Sequence, residues 1–225
     1  MSQGQLTYHA VYDQPTPMIK SSVELSQGGS GAMRLHRDTT AVTALDLSGS
    51  DRAFHIVAHG HSGNGPLARV VTERPLSRLT GQSAVYRVED PYGTPLGRIT
   101  LRRRPLFWIG RTRWTLEPVV GPALRGFGGR MMWWVLWWPF GLPLSLLVAI
   151  WAFFSDWGDD ERIRSPRRVT WRDGSGHAHI VFRGMMEGYQ VFADGWDPRL
   201  IAALIGLHQS FDPNEAAKRG GWYAL

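Results

Sequence analysis

The feature that most constrains this chain is an uncharged stretch of twenty-four residues, Met131 to Phe154, which lies between Arg130 and Asp156. Its sequence is MMWWVLWWPFGLPLSLLVAIWAFF. The stretch is too long for an ordinary core strand and too apolar for a surface helix, which predicts a segment that meets lipid. The sequence on both sides is polar, punctuated by glycine and typical of strands. We therefore expect one membrane segment inserted into a β-rich body.

Two arrangements of this segment in a bilayer agree with its sequence. As one helix it would be roughly 36 Å long, enough to cross a hydrocarbon core of about 30 Å. Pro139 and Pro143 interrupt it, with Gly141 between them. Because proline removes a backbone donor and clashes with the preceding turn, a reversal at this point would produce a re-entrant helical hairpin.

Tryptophans crowd both ends of the segment, which favours a full span because aromatic belts lie at the two membrane interfaces. The residues expected to insert into the membrane are Trp133, Trp134, Trp137, Trp138, Pro139, Pro143 and Trp151. A hairpin, a single span between two separate soluble pieces and a buried element of a soluble fold all stay open. Arginines flank both ends, and because an excess of Lys and Arg marks the cytoplasmic side, we expect a membrane protein whose β domain is cytoplasmic.

Composition narrows the class of partner. The formal charge of +6 and the pI of about 10.1 suit either nucleic acid or anionic lipid. The chain has no basic motif interleaved with aromatic residues and no recognisable DNA-binding helix, so no nucleic-acid partner is expected. It has no cysteine, which excludes disulfides, thiol catalysis and Cys-based zinc sites. The first residues lack a basic start followed by an apolar core, so no signal peptide is expected.

From Ala32 onward, short runs of Val, Ile, Leu, Thr and aromatic residues are broken by turn residues every eight to twelve positions. This spacing predicts an all-β sandwich or barrel. The predicted strands cover 32–38, 40–47, 53–60, 67–73, 83–90, 96–104, 111–118, 167–173, 177–184 and 188–194. Residues 1–31 begin with a short apolar patch at 8–12 and are otherwise rich in Pro, Ser and Gly, so we expect a loose arm with one strand at most. A flexible lead into the apolar segment is expected from Gly121, Gly126, Gly128 and Gly129.

One convincing helix lies outside the apolar segment, at DPRLIAALIGLHQSF, residues 197–211. Asp197 is a suitable N-cap and Pro198 suits the first helical position. Leucine, isoleucine and alanine occupy nearly every face of this helix. Since a helix that is apolar all round is surrounded by other structure, we expect it to be enclosed.

Three stretches follow one another in a recognisable order: YRVEDPYGTPLGRI (86–99), RTRWTLEP (111–118) and EGYQVFADGWDPRLIAALIGL (187–207). This order of Gly-containing turns, a Trp-bearing strand and a helix after the last hairpin resembles the tubby C-terminal-like superfamily, which includes the LURP-one-related proteins and the phospholipid scramblases. The resemblance implies a closed antiparallel barrel of about twelve strands around a C-terminal hydrophobic helix, covering 32–225, and a habit of working at membrane surfaces. The chain departs from the family because its membrane segment at 131–154 interrupts the barrel strands.

The densest basic cluster surrounds the short apolar link PLFWIG. On paired strands, alternate members of this cluster would share a face and could meet the phosphate groups of an anionic leaflet, at about 1 kcal/mol for each charge. A solvated hairpin is the alternative. The predicted lipid-binding residues are Arg102, Arg103, Arg104, Arg111 and Arg113.

His55, His59 and His61 recur at even spacing in HIVAHGH, so on a strand they would share one face. Imidazoles in such a row can bind zinc, nickel or copper, but no nearby acid or cysteine supplies a clear fourth ligand. We expect solvent-facing histidines, no cofactor and no enzyme. The leading hypothesis is a membrane-attached barrel that binds lipid or a protein partner at the cytoplasmic face. The rival is a metal-dependent enzyme that uses His55 and His59.

Overall fold

A computed structural model describes residues 6–11, 18–21, 32–37, 52–58, 65–77, 81–103, 112–128, 168–184, 188–192 and 195–211. These residues form twelve β-strands and one α-helix. The first six strands are β1 (Leu6–Val11), β2 (Met18–Ser21), β3 (Ala32–Arg37), β4 (Phe54–Ala58), β5 (Ala68–Arg74) and β6 (Ala84–Glu89). The others are β7 (Pro95–Arg102), β8 (Arg113–Pro118), β9 (Leu124–Gly128), β10 (Arg168–Arg172), β11 (Ala178–Arg183) and β12 (Gly188–Val191). The helix, α1, spans Pro198–Phe211.

The strands form a closed antiparallel barrel in which each strand pairs with its neighbours in sequence, as the β pattern and the resemblance predict. The first strand closes the ring on the last, with Tyr8 of β1 directly opposite Tyr189 of β12. Strands β1 and β2 both lie within residues 1–31, for which a loose arm with one strand at most was predicted. Each strand is short, and the burial of Tyr8 and Ile19 in the common core explains why these residues are ordered as strands.

Consecutive strands run in opposite directions, so the connections fall alternately at the two ends of the barrel. One end carries the tight turns at 90–94, 119–123 and 173–177 together with the start of α1, and we call it the turn end. The other carries the β7–β8 and β9–β10 connections together with the end of α1, and we call it the insertion end. Gly128 and Arg168, the described residues on either side of the uncharged stretch in the sequence, both lie at the insertion end.

The helix lies inside the barrel. All residues from Leu200 to Ser210 are buried, and their apolar side chains share one core with the inward-facing side chains of the strands. The Asp197 carboxylate accepts a hydrogen bond from the backbone N–H of Arg199 at 2.8 Å, as expected of an N-cap. At the other end, the Phe211 carbonyl accepts a hydrogen bond from the Arg103 side chain at 2.7 Å. The predicted enclosed helix is therefore confirmed.

The Tyr189 hydroxyl contacts two buried polar side chains of this helix. The Tyr189 hydroxyl lies 2.8 Å from Nδ1 of His208 and accepts a hydrogen bond from Nε2 of Gln209 at 3.0 Å. Four aromatic rings surround the His208 imidazole with centroid distances of 4.8 to 5.8 Å: Trp114, Trp171, Phe182 and Tyr189. Since buried polar groups need partners, these contacts with Tyr189 stabilise the observed orientation of the C-terminal part of α1.

Strand β9 occupies part of the region for which glycines predict a flexible lead. Gly126 is required there because a Cβ atom at this position would lie 2.5 Å from Nε1 of Trp171. The strand can therefore pass over the indole only with glycine at this point. The expectation of flexibility was wrong for Leu124–Gly128, since the glycines serve close packing and leave the strand paired on both sides.

Within the described residues, no helix has the length and apolar character needed to cross a membrane. The uncharged stretch at 131–154 lies outside the described residues, and with it Trp133, Trp134, Trp137, Trp138, Pro139, Pro143 and Trp151. The predicted strand at 40–47 also lies outside them.

Candidate functional site

A pair of arginines lies on the outer face of the barrel at the insertion end. Arg102, the last residue of β7, is directly opposite Arg113, the first residue of β8. Their chain neighbours Leu101 and Trp114 are buried in the core. Because successive side chains of a strand point to opposite faces, both arginines project outward.

A second pair lies on β10 and β11. Arg168 begins β10 directly opposite Arg183 at the end of β11, and both side chains are exposed. Between the two pairs lies Phe127 of β9, which is opposite Arg113 and 44% exposed. Its ring centroid is 5.7 Å from the guanidinium carbon of Arg113. We call Arg102, Arg113, Phe127, Arg168 and Arg183 the arginine surface.

The charge of the arginine surface is not neutralised within the described part of the chain. None of its four arginines forms an ion pair with an acid of the described residues, and Nε of Arg113 is buried without a hydrogen-bond partner among them. The facing pair Arg87 and Arg98 differs, since both side chains contact the carboxylate of Glu73. Like charges directly opposite each other destabilise a sheet, so an external anion would stabilise the arginine surface.

Arg103 lies in the predicted basic cluster but contacts the helix. Its Nη2 donates to the Phe211 carbonyl at 2.7 Å, and its guanidinium carbon is 5.4 Å from the centroid of the Phe211 ring. The buried Arg52 contacts the same ring at 4.9 Å. Positive charge near a helix C-terminus is stabilising, so both arginines hold the end of α1. Of the predicted lipid-binding residues, Arg102 and Arg113 lie on the arginine surface, Arg103 contacts the helix, and Arg104 and Arg111 lie outside the described residues.

The chain leaves and rejoins the barrel at neighbouring positions. Gly128, the last residue of β9, is paired with Val169 of β10, and its backbone N–H donates to the Thr112 carbonyl at 3.0 Å. The residues between 128 and 168 therefore begin and end side by side, next to the arginine surface. The chain on both sides of the uncharged stretch folds into one barrel rather than into two separate pieces.

His55 faces outward from β4, between His36 of β3 and Arg69 of β5. The side chain is half-buried, and its Nδ1 atom is not exposed to solvent. Within the described residues no group of three or more His, Cys, Asp or Glu side chains could hold a metal ion. His59 and His61 lie outside those residues, so the row of three histidines stays a prediction.

A polar cluster that sequence analysis missed organises the β10–β11 hairpin. The Asp173 carboxylate accepts hydrogen bonds from the Ser175 hydroxyl at 2.6 Å, from the Ser175 and His177 backbone N–H groups at 2.9 Å, and from Nε2 of His179 at 3.1 Å. These bonds, with that of the Ser175 hydroxyl the strongest, hold the pKa of Asp173 well below its ordinary value of 3.8. Asp173 therefore stays ionised and anchors both histidines.

Comparisons of the chain with protein-family models, with curated proteins and with solved structures found no match. The candidate site must therefore be judged on its own chemistry. Sequence analysis found two of the four arginines of the arginine surface, because Arg102 and Arg113 are close in the chain. Arg183 carries no local signal, since only the pairing of β10 with β11 brings it beside Arg168.

Proposed function

We propose that this protein is a non-enzymatic, membrane-attached barrel of the tubby-like kind, and that it binds anionic lipid headgroups at the cytoplasmic face through its insertion end. The observation that carries this proposal is the coincidence of two features at one place. The chain leaves the barrel at Gly128 and rejoins it at Arg168, beside the arginine surface, and the uncharged stretch lies between these two positions in the sequence.

The pairing of β9 with β10 supports a segment that returns to the side it left. Gly128 and Val169 are neighbours in one sheet, so they lie on the same side of any bilayer. A single crossing by residues 131–154 would place them on opposite sides, where they could not pair. A re-entrant hairpin that reverses near Pro139 and Pro143 satisfies both the sheet and the hydrophobicity of the stretch.

The arginine surface suits the phosphates that lie above such a segment. A guanidinium group presents donors in a planar fork that matches phosphate oxygens, and an anion between Arg102 and Arg113 would relieve the repulsion of the facing pair. Phe127, exposed beside these charges, has the character of an aromatic residue at a membrane interface. Positive charge and apolar surface at one end of the barrel are what an anionic leaflet recognises.

Reconstitution into lipid vesicles tests the proposal. The full chain should remain with membranes after an alkaline wash, and it should bind a fluorescent anionic lipid in a neutral bilayer with salt-dependent affinity. Replacing Arg102 and Arg113 with Gln removes two charges at about 1 kcal/mol each, so the lipid should bind roughly thirtyfold more weakly.

A matched control is available at the turn end. Arg125 and Arg172 form another facing pair on the outer surface, on β9 and β10, and Arg172 donates to the Gly176 carbonyl. Replacing both with Gln changes the net charge by the same amount and should leave lipid binding unchanged. Equal losses in the two double variants would show that only net charge matters, and recovery of the wild-type protein in the soluble fraction would refute membrane attachment.

A further inference from the structure

Two further arginines face each other on the outer wall of the barrel, away from the insertion end. Arg125 of β9 is directly opposite Arg172 of β10, and both side chains are exposed. Their chain neighbours Leu124 and Trp171 are fully buried in the core, so both arginines project outward. We call Arg125 and Arg172 the wall pair.

The charge of the wall pair is not neutralised by the described part of the chain. Neither arginine forms an ion pair with an acid among the described residues, and Arg125 forms no hydrogen bond with them through its side chain. Arg172 donates one hydrogen bond, from Nη1 to the Gly176 carbonyl at 2.6 Å. Like charges directly opposite each other destabilise a sheet, so an external anion would stabilise the wall pair.

The wall pair lies too far from the insertion end to share the phosphates of a leaflet. Arg168 and Arg172 are four residues apart on β10, which is about 13 Å along the strand at roughly 3.3 Å for each residue. Exposed charges are largely screened from each other beyond about 8 Å at physiological ionic strength. In the proposed membrane attachment the wall pair therefore faces water, and its ligand comes from solution.

The arginines of β10 recur at the spacing of an extended chain. Arg168, Thr170 and Arg172 alternate with buried residues and therefore lie on one outward face of the strand. In any extended peptide, side chains on one face recur about every 6.6 Å. A segment with carboxylates at alternate positions would thus match this row and could contact Arg168 and Arg172 together, with Arg125 beside them. A small anion would contact only one pair.

The wall suits carboxylates of a protein better than a nucleic acid. Proteins that bind single strands without sequence preference combine basic grooves with aromatic rings on which successive bases stack. Among the described residues of β8, β9 and β10, Phe127 is the one exposed aromatic side chain, and it lies at the insertion end. Clusters of arginine, in contrast, are a recurring means of recognising acidic protein motifs.

We infer that the outer wall of β9 and β10 binds an extended acidic segment of a partner protein through Arg125, Arg168 and Arg172. The planar guanidinium groups match carboxylate oxygens, and the complementary charge selects the partner. This inference goes beyond the proposed lipid binding, which is tested at Arg102 and Arg113. A barrel attached to a membrane would in this way hold an acidic protein beside that membrane.

A fluorescent peptide of about nine residues with alternating Glu and Thr is a suitable probe, since it spans roughly 30 Å when extended. Fluorescence anisotropy would use the full chain in phosphatidylcholine nanodiscs, with empty nanodiscs as background. We expect binding that weakens as salt is added, and no binding of the same peptide with Gln in place of Glu. Replacing Arg125 and Arg172 with Gln should weaken binding about tenfold, as expected for the loss of two exposed ion pairs.

Arg87 and Arg98 provide the matched control. They also face each other on neighbouring strands, but both already contact the carboxylate of Glu73. Replacing both with Gln changes the net charge by the same amount and should leave peptide binding within about twofold of the wild-type value. Equal losses in the two double variants would show that only net charge matters and would overturn the inference.

Absence of peptide binding, or tighter binding of a single-stranded oligonucleotide than of the peptide, would also overturn it. If the double variant does not fold, Arg125→Gln alone provides a second test, because this side chain has no polar contact among the described residues. This variant should bind the peptide about threefold more weakly, and unchanged binding would refute the site. The variant with Gln at Arg102 and Arg113 should bind the peptide normally, so a failure of lipid binding would be distinguished from a failure of this site.

Discussion

Among the described glycines, Gly126 is the one at which an added Cβ atom would make the shortest contact. A Cβ atom there would lie 2.5 to 2.9 Å from three atoms of the Trp171 indole, which is itself fully buried in the core. Gly126→Ala therefore forces the indole or the strand to move, and overpacking of this kind costs about 1 to 3 kcal/mol. Chemical denaturation of the purified protein should show a lower free energy of unfolding by this amount.

Gly174 provides the control for this substitution. It lies in the β10–β11 turn, where a Cβ atom would meet nothing within 4 Å. Gly174→Ala should leave the free energy of unfolding within about 0.5 kcal/mol of the wild-type value, as surface substitutions usually do. Equal effects at the two positions would mean that contact with Trp171 is not what requires glycine in β9.

Asp173 makes stability depend on pH in the acid range. Its folded pKa is held below 3.8, chiefly by the hydrogen bond from the Ser175 hydroxyl and then by that from His179. A carboxyl whose pKa is lowered by folding contributes stability that is fully present above about 3.8 and is lost as the pH falls through the folded pKa. Asp173→Asn should therefore lower the melting temperature at pH 7, and this difference should shrink as the pH falls below 3.8.

Thermal melts of the wild-type and Asp173→Asn proteins between pH 2 and pH 7 would measure this effect. Glu117→Gln is a suitable control because Glu117 is exposed on β8 and no ion pair to it occurs among the described residues. Parallel melting curves for Asp173→Asn and the wild type at every pH would contradict a stabilising role for the ionised carboxylate.

At the scale of the element, α1 depends on its apolar surroundings on every side. Leu204 is fully buried at the middle of the helix, where the barrel wall surrounds it. Leu204→Asp would place an unpaired charge in this interior at a cost of at least about 3 kcal/mol, which is enough to unfold a marginally stable domain. Leu204→Met conserves volume and polarity and should cost less than about 1.5 kcal/mol.

Circular dichroism during thermal unfolding would compare these two variants. A wild-type melting temperature for Leu204→Asp would mean that the charge reaches water and that α1 is not enclosed. The pair of substitutions separates the effect of charge from that of a changed side chain, since both replace the same leucine.

Elements that carry their own local signals were predictable from the sequence. Helix α1 has an N-cap, a proline at its first position and an apolar surface, and the central strands alternate between buried and exposed residues. Strand β9 could not be predicted because glycine in a sequence usually indicates flexibility. The close contact between Gly126 and Trp171, which requires glycine there, is evident only in the structure. The apolar patch at 8–12 indicated one possible strand near β1, but the four residues of β2 are too few to show a pattern, and pairing with the neighbouring strands decides their structure.

In the candidate site, too, some residues could be predicted from the local sequence and others only from the pairing of the strands. Arg102 and Arg113 could be predicted because one short hairpin brings them together, whereas Arg168 and Arg183 become a pair only through β10 and β11. The role of Arg103 depends on the end of α1 lying beside β7, which only the closed barrel brings about. Sequence analysis finds charge density, but the register of the strands decides which charges face outward together.

At the scale of the whole molecule, one barrel requires both flanks of the uncharged stretch to lie on the same side of a membrane. Val120 precedes this stretch and Gly174 follows it, and both are exposed at the turn end. In this cysteine-free chain, Val120→Cys and Gly174→Cys should react with an impermeant thiol reagent to the same extent. We expect neither cysteine to react in intact cells and both to react after permeabilisation.

Labelling of one cysteine without the other in intact cells would contradict a single barrel. A cysteine introduced at Leu204 serves as a negative control, since this fully buried position should react only after denaturation. Mass spectrometry of the labelled chain would assign the modified residue in each variant.

Because β1 pairs with β12, the barrel can close only late in the synthesis of the chain. Tyr8 pairs with Tyr189, which lies about 180 residues later in the chain. At roughly 5 to 20 residues per second, the ribosome takes on the order of ten to forty seconds to synthesise the residues between them. The helix that fills the interior is made later still, after β12. The uncharged stretch thus emerges from the ribosome before the barrel can close, so the membrane insertion that we propose would precede the folding of the domain that carries the stretch.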